Sequence, residues 1–260
     1  MRHYLEICTG SADSVMAAFR GGADRVELCC GLEEGGLTPS VGMITDAVAQ
    51  CRAASGGERK RAVNVLIRPR GGDFLYTQRE LDIMLEDVRC AAEHGVDGIV
   101  VGALTADGNV DEAMCQRLVD AAAGCSLTFH RAFDMCSDPV RALEVIIDMG
   151  FHRVLTSGLA ATAEEGTPLL QRLVAQADGR ISIMPGCGVN SRNAARILQA
   201  TGAHELHASA RAVIGSKMQF RRSGVEMGRA DADEFARKET DAAEVQKLRA
   251  VMDEAESHAL

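Results

Sequence analysis

Eight short apolar runs cross this chain at regular intervals, and each is followed by a stretch with helical spacing. The runs are Leu5–Cys8, Val26–Cys29, Val63–Arg68, Gly98–Val101, Leu127–His130, Val154–Thr156, Ile181–Met184 and Glu205–Ala208. Between them, helical patterns start at Ser11 as N-cap, at Val41, Thr77, Asp111, Pro139, Leu169 and Asn193. Strands separated by helices need right-handed crossovers and therefore lie parallel. Eight such units in 260 residues favour a closed α/β structure, a single (β/α)8 TIM-type barrel, over an open doubly wound sheet. No linker divides residues 1–260, so one domain is expected. The polar segment 215–240 shows no period and reads as a long mobile, lid-like loop. A last helix follows it, with Val245, Leu248, Met252 and Ala255 at helical spacing.

A parallel barrel gathers all its strand ends on one face, so residues far apart in sequence meet there. The first two strands repeat one pattern, Glu6-Ile7-Cys8 and Glu27-Leu28-Cys29. Because side chains alternate along a strand, each Glu shares a face with its Cys. An inward face would unite two carboxylates and two thiols. Adjacent strands lie about 4.8 Å apart, so Cys8 and Cys29 can hold one soft ion if the barrel's stagger does not part them. Two thiolates with few other donors suit Cu(I). The alternative is that both cysteines only fill the barrel mouth. Cys30 should face the other way and pack under a helix. Carboxylates in packed strands are costly unless paired, so Glu6 and Glu27 are expected to meet cations.

The other strand ends supply those cations and further polar groups. Strand three runs into Arg68, Arg70 and Asp73, either a fork for an anionic ligand or, through Arg68, an ion pair with Glu6 or Glu27. Strand five ends in Thr128 and His130, followed by Arg131 and Asp134, and strand six ends in Ser157. Strand seven leads to Gly186, Cys187 and Gly188, and strand eight to His207, Ser209, Ala210 and Arg211. Loops after these last two strands can cradle a phosphate with backbone N–H groups. His130 and His207 are candidate acid–base groups, with Asp73, Glu6 and Glu27 beside them. His3, His94, His152, His204 and His258 fall at element edges or in the tail and read as solvated.

Net charge of −9, without a long basic run, argues against nucleic acid and anionic membrane surfaces as partners. No apolar stretch approaches the span of a bilayer, and no leader-like segment opens the chain, so a cytoplasmic protein is expected. Nine cysteines at irregular spacing, with no CxxC pair, read as free thiols rather than a disulfide framework or structural zinc site.

Laid out in order, GGADRVELC, EEGGLTPS, IRPRGGDFLYT, GALTADG, TFHRAFDM, RVLTSG, MPG and SAR resemble the CutC copper homeostasis protein family along nearly the whole chain. The resemblance implies a cytosolic TIM-type barrel, assembled as a homo-oligomer (dimer or tetramer) and assigned to copper handling. It also implies Cu(I) binding at two cysteines, which match Cys8 and Cys29. Cys30 and Cys187 depart from the pattern, since relatives commonly carry Ser and Gly there. The second reading, of a different class, is an enzyme acting on a small anionic or phosphorylated metabolite. It would use Arg68, Arg70, Asp73, His130 and His207, because a two-thiolate copper site needs none of them.

Overall fold

The computed structural model describes residues 2–56, 60–122, 124–222, 224–225 and 233–258. Strand and helix alternate as β1 (Tyr4–Thr9), α1 (Ala12–Arg20), β2 (Arg25–Leu28), α2 (Val41–Ala54), β3 (Ala62–Leu66), α3 (Gln78–Glu93), β4 (Gly98–Val101) and α4 (Glu112–Ala121). The series continues with β5 (Ser126–Phe129), α5 (Pro139–Asp148), β6 (Arg153–Thr156), α6 (Thr167–Ala177), β7 (Ser182–Pro185), α7 (Ala194–Thr201) and β8 (Glu205–Ala208). After it come β9 (Arg211–Gly215), β10 (Ala236–Thr240) and α8 (Ala242–His258). The first eight strands are parallel and hydrogen-bonded in the order β7-β6-β5-β4-β3-β2-β1-β8, a nearly closed barrel whose seam lies between β7 and β8.

Local chemistry explains the helix starts. Side chains of Ser11, Ser40, Thr77, Asp111 and Asp138 each accept an N–H that the first turn leaves without a partner. Thr77 and Glu80 complete a reciprocal capping box, and Pro139 occupies the first turn of α5, where its missing N–H costs nothing.

Strand alternation then sorts the side chains. Leu5, Ile7, Val26, Leu28, Val65, Ile99, Phe129 and Val154 join the apolar faces of the helices in one large core outside the barrel wall. The opposite face carries Glu6, Arg25, Glu27, Asn64, Thr128, Arg153 and Glu205, all buried. A small apolar cluster of Cys29, Leu66 and Val100 accompanies them, and Leu155 and Met184 are buried beside them. The barrel interior is thus ionic where aliphatic layers are usual.

The floor of that interior is a closed ion network. Arg25 donates through Nε to Glu6 and through Nη2 to Glu205 at 2.5 Å. Arg153 donates to the same Glu205 at 2.5 Å, and Asn64 Nδ2 donates to Glu6 at 3.0 Å. Burial raises the Glu205 pKa, but the Arg25 and Arg153 guanidiniums more than reverse this and hold it down at about 2. A carboxyl whose folded pKa lies below its ordinary 4.5 contributes stability that is complete above that value and lost as pH falls through it towards 2. We therefore expect the urea midpoint to drop between about pH 4.5 and 2, and Glu205→Gln to flatten that drop. An unchanged slope in the variant would show that Glu205 is not the group responsible.

Three expectations need correction. Segment 215–240 is not loop throughout: Ala236–Thr240 forms β10, antiparallel to β9, with Thr240 opposite Arg211 and Ala236 opposite Gly215. Glu239 pins this ribbon to the barrel by accepting from the hydroxyls of Ser11 and Ser14 on the α1 side. Residues 223 and 226–232 of the expected loop lie outside the described residues. Cys30 does not pack under a helix. Its backbone bridges to Leu37 and its thiol donates to the Thr38 carbonyl at 3.0 Å, inside the glycine-rich turn. His3 is buried, with Nδ1 3.1 Å from the Met252 carbonyl, because α8 covers the start of β1. Val245, Leu248 and Met252 are fully buried on the inner face of α8, as their spacing predicts. No helix among the described residues is long and apolar enough to cross a membrane.

Candidate metal centre at the barrel mouth

Above the ion network, the C-terminal ends of β1, β2 and β8 bring sulfur, carboxylate and imidazole together. Cys8 stands opposite Glu27 in the β1–β2 register, and Glu6 stands opposite His207 in the β1–β8 register. Cys29, one residue past β2, reaches diagonally back, and the two sulfurs lie 3.8 Å apart. His207 Nε2 is 3.0 Å from Glu27 Oε2 and 3.9 Å from Glu6 Oε1. The donor atoms of Cys8, Glu27 and Cys29 all lie within 4.8 Å of one another, as do those of Glu6, Glu27 and His207.

Charge is distributed unevenly over the cluster. The hydrogen bond from Cys29, assisted by His207, holds the Cys8 thiol below its ordinary range despite burial and the Glu27 carboxylate. The same bond to Cys8, together with burial, pushes Cys29 well above that range. Of the two thiols, Cys8 is the one whose charged form the site favours. Burial opposes charge on His207, yet Glu27 and Cys8 outweigh it and raise its pKa well above the usual value. Burial also acts against charge on Glu27, and here His207 and Cys8 win, so its pKa is lowered. At the mouth of the barrel a buried thiol, imidazole and carboxylate thus shift one another: Glu27 and Cys8 favour charge on His207, and His207 favours charge on both of them.

His130 stands apart from this sequence. Burial pushes its pKa down to about 4, so the ring is neutral, and Nδ1 accepts from the Ala132 N–H at 3.2 Å. Its Nε2 is buried with no hydrogen-bond partner. Space for the ring comes from Gly102, where a Cβ would come within 2.7 Å of Nδ1. Gly186 does the same for His207, since a Cβ there would come within 2.5 Å of Leu155 and 3.3 Å of His207. Glycine at these two strand ends is a packing requirement.

Several candidates from the sequence do not join the cluster. Arg68 does not pair with Glu6 or Glu27. Its guanidinium donates to the carbonyls of Glu34, Gly36 and Gly72 at 2.8, 3.1 and 2.7 Å, bracing two glycine-rich turns. Arg70 and Asp73 pair with each other at 2.9 Å on the surface, and Arg70 also binds Glu80 at 2.6 Å. Neither is directed at the thiols. Asp134 binds Arg131 at 2.7 Å and accepts from Thr156 Oγ1 and from the Ser157 N–H at 2.5 and 3.0 Å. Ser157 Oγ donates to the Ala160 carbonyl at 2.7 Å, so both residues shape the β6 loop.

Over the cluster opens a cavity of about 840 Å³, with Cys8 and His207 on its floor and Arg131, Cys187, Gly188, Ser209 and Arg211 on its walls. Arg192 and Lys247, unremarked in the sequence, add positive charge to the rim. Sequence reading also missed Arg25, Arg153 and Glu205 beneath. The signal for Arg25 and Glu205 was strand parity: Arg25 precedes Glu27 by two, and Glu205 precedes His207 by two.

Comparison with known proteins follows the geometry. The CutC family model matches residues 3–212. The human copper homeostasis protein cutC homolog is 48% identical over 248 residues, covering 95% of this chain and 88% of that protein. The family protein CutC of Chromobacterium violaceum is 49% identical over 255 residues, covering 98% and 100%. Among solved structures, the putative copper homeostasis protein CutC from Streptococcus agalactiae superposes with a TM-score of 0.75 at 34% identity, over 80% of this chain and 98% of that one. Thiamine phosphate pyrophosphorylase from Pyrococcus furiosus, at TM-score 0.59 and 14% identity, shares the barrel fold alone. Identity of this degree over nearly its full length makes the chain a member of the CutC family.

Proposed function

We propose that this protein binds Cu(I) in the cytoplasm and serves copper homeostasis, with Cys8 and Cys29 as the thiolate ligands. The observation that carries the reading is the 3.8 Å approach of the two sulfurs, one of which, that of Cys8, belongs to a residue lining an open cavity. Soft thiolates select a soft monovalent ion over the hard cations of the cytoplasm. Membership in the CutC family, with a human relative named for copper homeostasis, supports the same assignment.

An anaerobic competition titration against a Cu(I) chelator tests it. The native chain should bind one equivalent tightly, and Cys30→Ala and Cys187→Ala should bind it equally well, because neither thiol meets the pair. Loss of binding in either variant would move the site away from Cys8 and Cys29. A second reading, an enzyme for a small anionic metabolite, draws on Arg131, Arg192, Arg211 and Lys247 around the cavity. Absence of tight copper binding in the native chain would turn attention to it.

A further inference from the structure

The barrel strands hydrogen-bond in unbroken order from β7 round to β8, and the seam between these two is the open side. The loops that leave them keep backbone donors free. Among the described residues, nothing accepts from the N–H of Cys187, Gly188 or Val189 after β7, or of Ser209 or Ala210 after β8. Carbonyls on the same loops are engaged. That of Cys187 accepts from the Ala163 N–H at 2.9 Å, that of Gly188 from the Asn190 and Asn193 side chains at 2.9 and 3.0 Å, and that of Ala210 from the Asp241 N–H at 2.8 Å. Left-handed backbone at Cys187, Gly188 and Ala210, with φ of 77°, 75° and 44°, is of the kind that gathers successive N–H groups into an anion-binding concavity. All five residues line the cavity of about 840 Å³.

Charge in the same cavity is a second, independent observation. Arg131, Arg192, Arg211 and Lys247 line it, against the carboxylates of Asp241 and Glu244. Both carboxylates are already occupied: Asp241 accepts from the Ala243 N–H at 2.9 Å, and Glu244 accepts from the Ser191 N–H and hydroxyl at 3.2 and 2.7 Å and lies 3.5 Å from Lys247. The Arg192 guanidinium, by contrast, has no hydrogen-bond or ion-pair partner among the described residues. On a chain of net charge −9, this local surplus of cations and free donors runs against the composition.

We infer that the β7–β8 wall is the phosphoryl subsite of a small phosphomonoester. The N–H groups of Gly188, Ser209 and Ala210 hold its oxygens, Arg192 and Arg211 supply counter-charge, and the carbon end of the ester extends over the cavity floor. A phosphoryl group offers three strong acceptor oxygens, the complement of a wall of unpaired donors, and the loops after strands seven and eight are where a parallel barrel can present such a wall. The cavity volume is that of a site for a metabolite rather than for a bare ion. This assignment rests on the second reading above, of an anionic ligand in this cavity, and is independent of copper at Cys8 and Cys29.

Amide NMR spectra of the ¹⁵N-labelled native chain, recorded as inorganic phosphate, glycerol 3-phosphate or citrate is added, test it. Phosphate and glycerol 3-phosphate should each move the amide protons of Gly188, Ser209 and Ala210 downfield and saturably, with the ester bound at least as tightly. Gly72 and Gly158, in the turns after β3 and β6, should stay in place. Arg192→Ala should weaken glycerol 3-phosphate about tenfold, as loss of one charge-assisted contact does, and its unpartnered side chain makes a folding defect unexpected. Equal affinity in that variant would take counter-charge out of the site and overturn it as drawn. Inorganic phosphate bound without glycerol 3-phosphate overturns the ester. Amides that citrate moves and phosphate does not overturn the phosphoryl subsite and leave the anionic reading standing. Amides that none of the three moves overturn both, whatever the Cu(I) titration shows.

Discussion

Replacing Cys8 and Cys29 together with alanine should abolish tight Cu(I) binding while the far-UV circular dichroism of the barrel is retained. Each sulfur lies at a strand end rather than in the large core: Cys8 is partly exposed to the cavity, and Cys29 packs in the small cluster with Leu66 and Val100. Removing one sulfur from each position therefore costs stability of the order of one small core truncation apiece, about 1–2 kcal/mol. Binding, by contrast, loses every soft donor in the cluster. Glu27 and His207 remain, but a carboxylate and an imidazole prefer harder ions, so the expected loss in Cu(I) affinity spans several orders of magnitude. A competition titration reads this directly. One tight equivalent retained in the double variant would place copper on another thiol, and Cys187, in the same cavity wall, would be examined first.

The largest stability effect is expected at Arg25. Its guanidinium joins Glu6 and Glu205 beneath the cysteine–glutamate–histidine cluster, and all three residues are buried. Arg25→Met should cost about 3–5 kcal/mol, because it leaves buried carboxylates short of counter-charge. Arg153 continues to hold Glu205, so the burden falls mainly on Glu6, whose remaining donor is Asn64. Adding Glu6→Gln should then recover most of the loss, since the neutral amide keeps a partner in Asn64 and no longer needs a cation. Urea denaturation of the two variants measures both steps. An Arg25→Met variant as stable as the native chain would show that the network contributes nothing net. A double variant no better than the single would show that Glu205, not Glu6, bears the cost.

The architecture was open to reading because it depends on local patterns that repeat. Apolar runs of strand length, capping residues such as Ser11, Thr77 and Asp111, and Pro139 in a first turn each declare an element without reference to distant residues. Parity along β1 and β2 likewise placed Glu6 with Cys8 and Glu27 with Cys29, since alternation is a property of any strand. The β9–β10 ribbon escaped notice because β9 is exposed along its whole length and so lacks an apolar face to mark it.

Which cation meets which carboxylate was beyond the reach of the chain read in one dimension. Arg68 sits at a strand end beside the glutamates' strands and has the right charge, but its fork is filled by carbonyls that the turns at Gly36 and Gly72 direct towards it. Arg25, nineteen residues from Glu6, takes that role because the β1–β2 register sets the two opposite each other. The same register puts Cys8 opposite Glu27 and lets Cys29 reach it only diagonally, at 3.8 Å. His207, one hundred and eighty residues from Glu27, arrives beside it only because β8 returns to pair with β1. Periodicity and capping act between near neighbours, so sequence alone specified a barrel and the inward faces of its strands. Strand stagger and barrel closure are collective results of packing all eight units, so only the tertiary structure decided which inward-facing groups come within hydrogen-bond or ion-pair reach of one another.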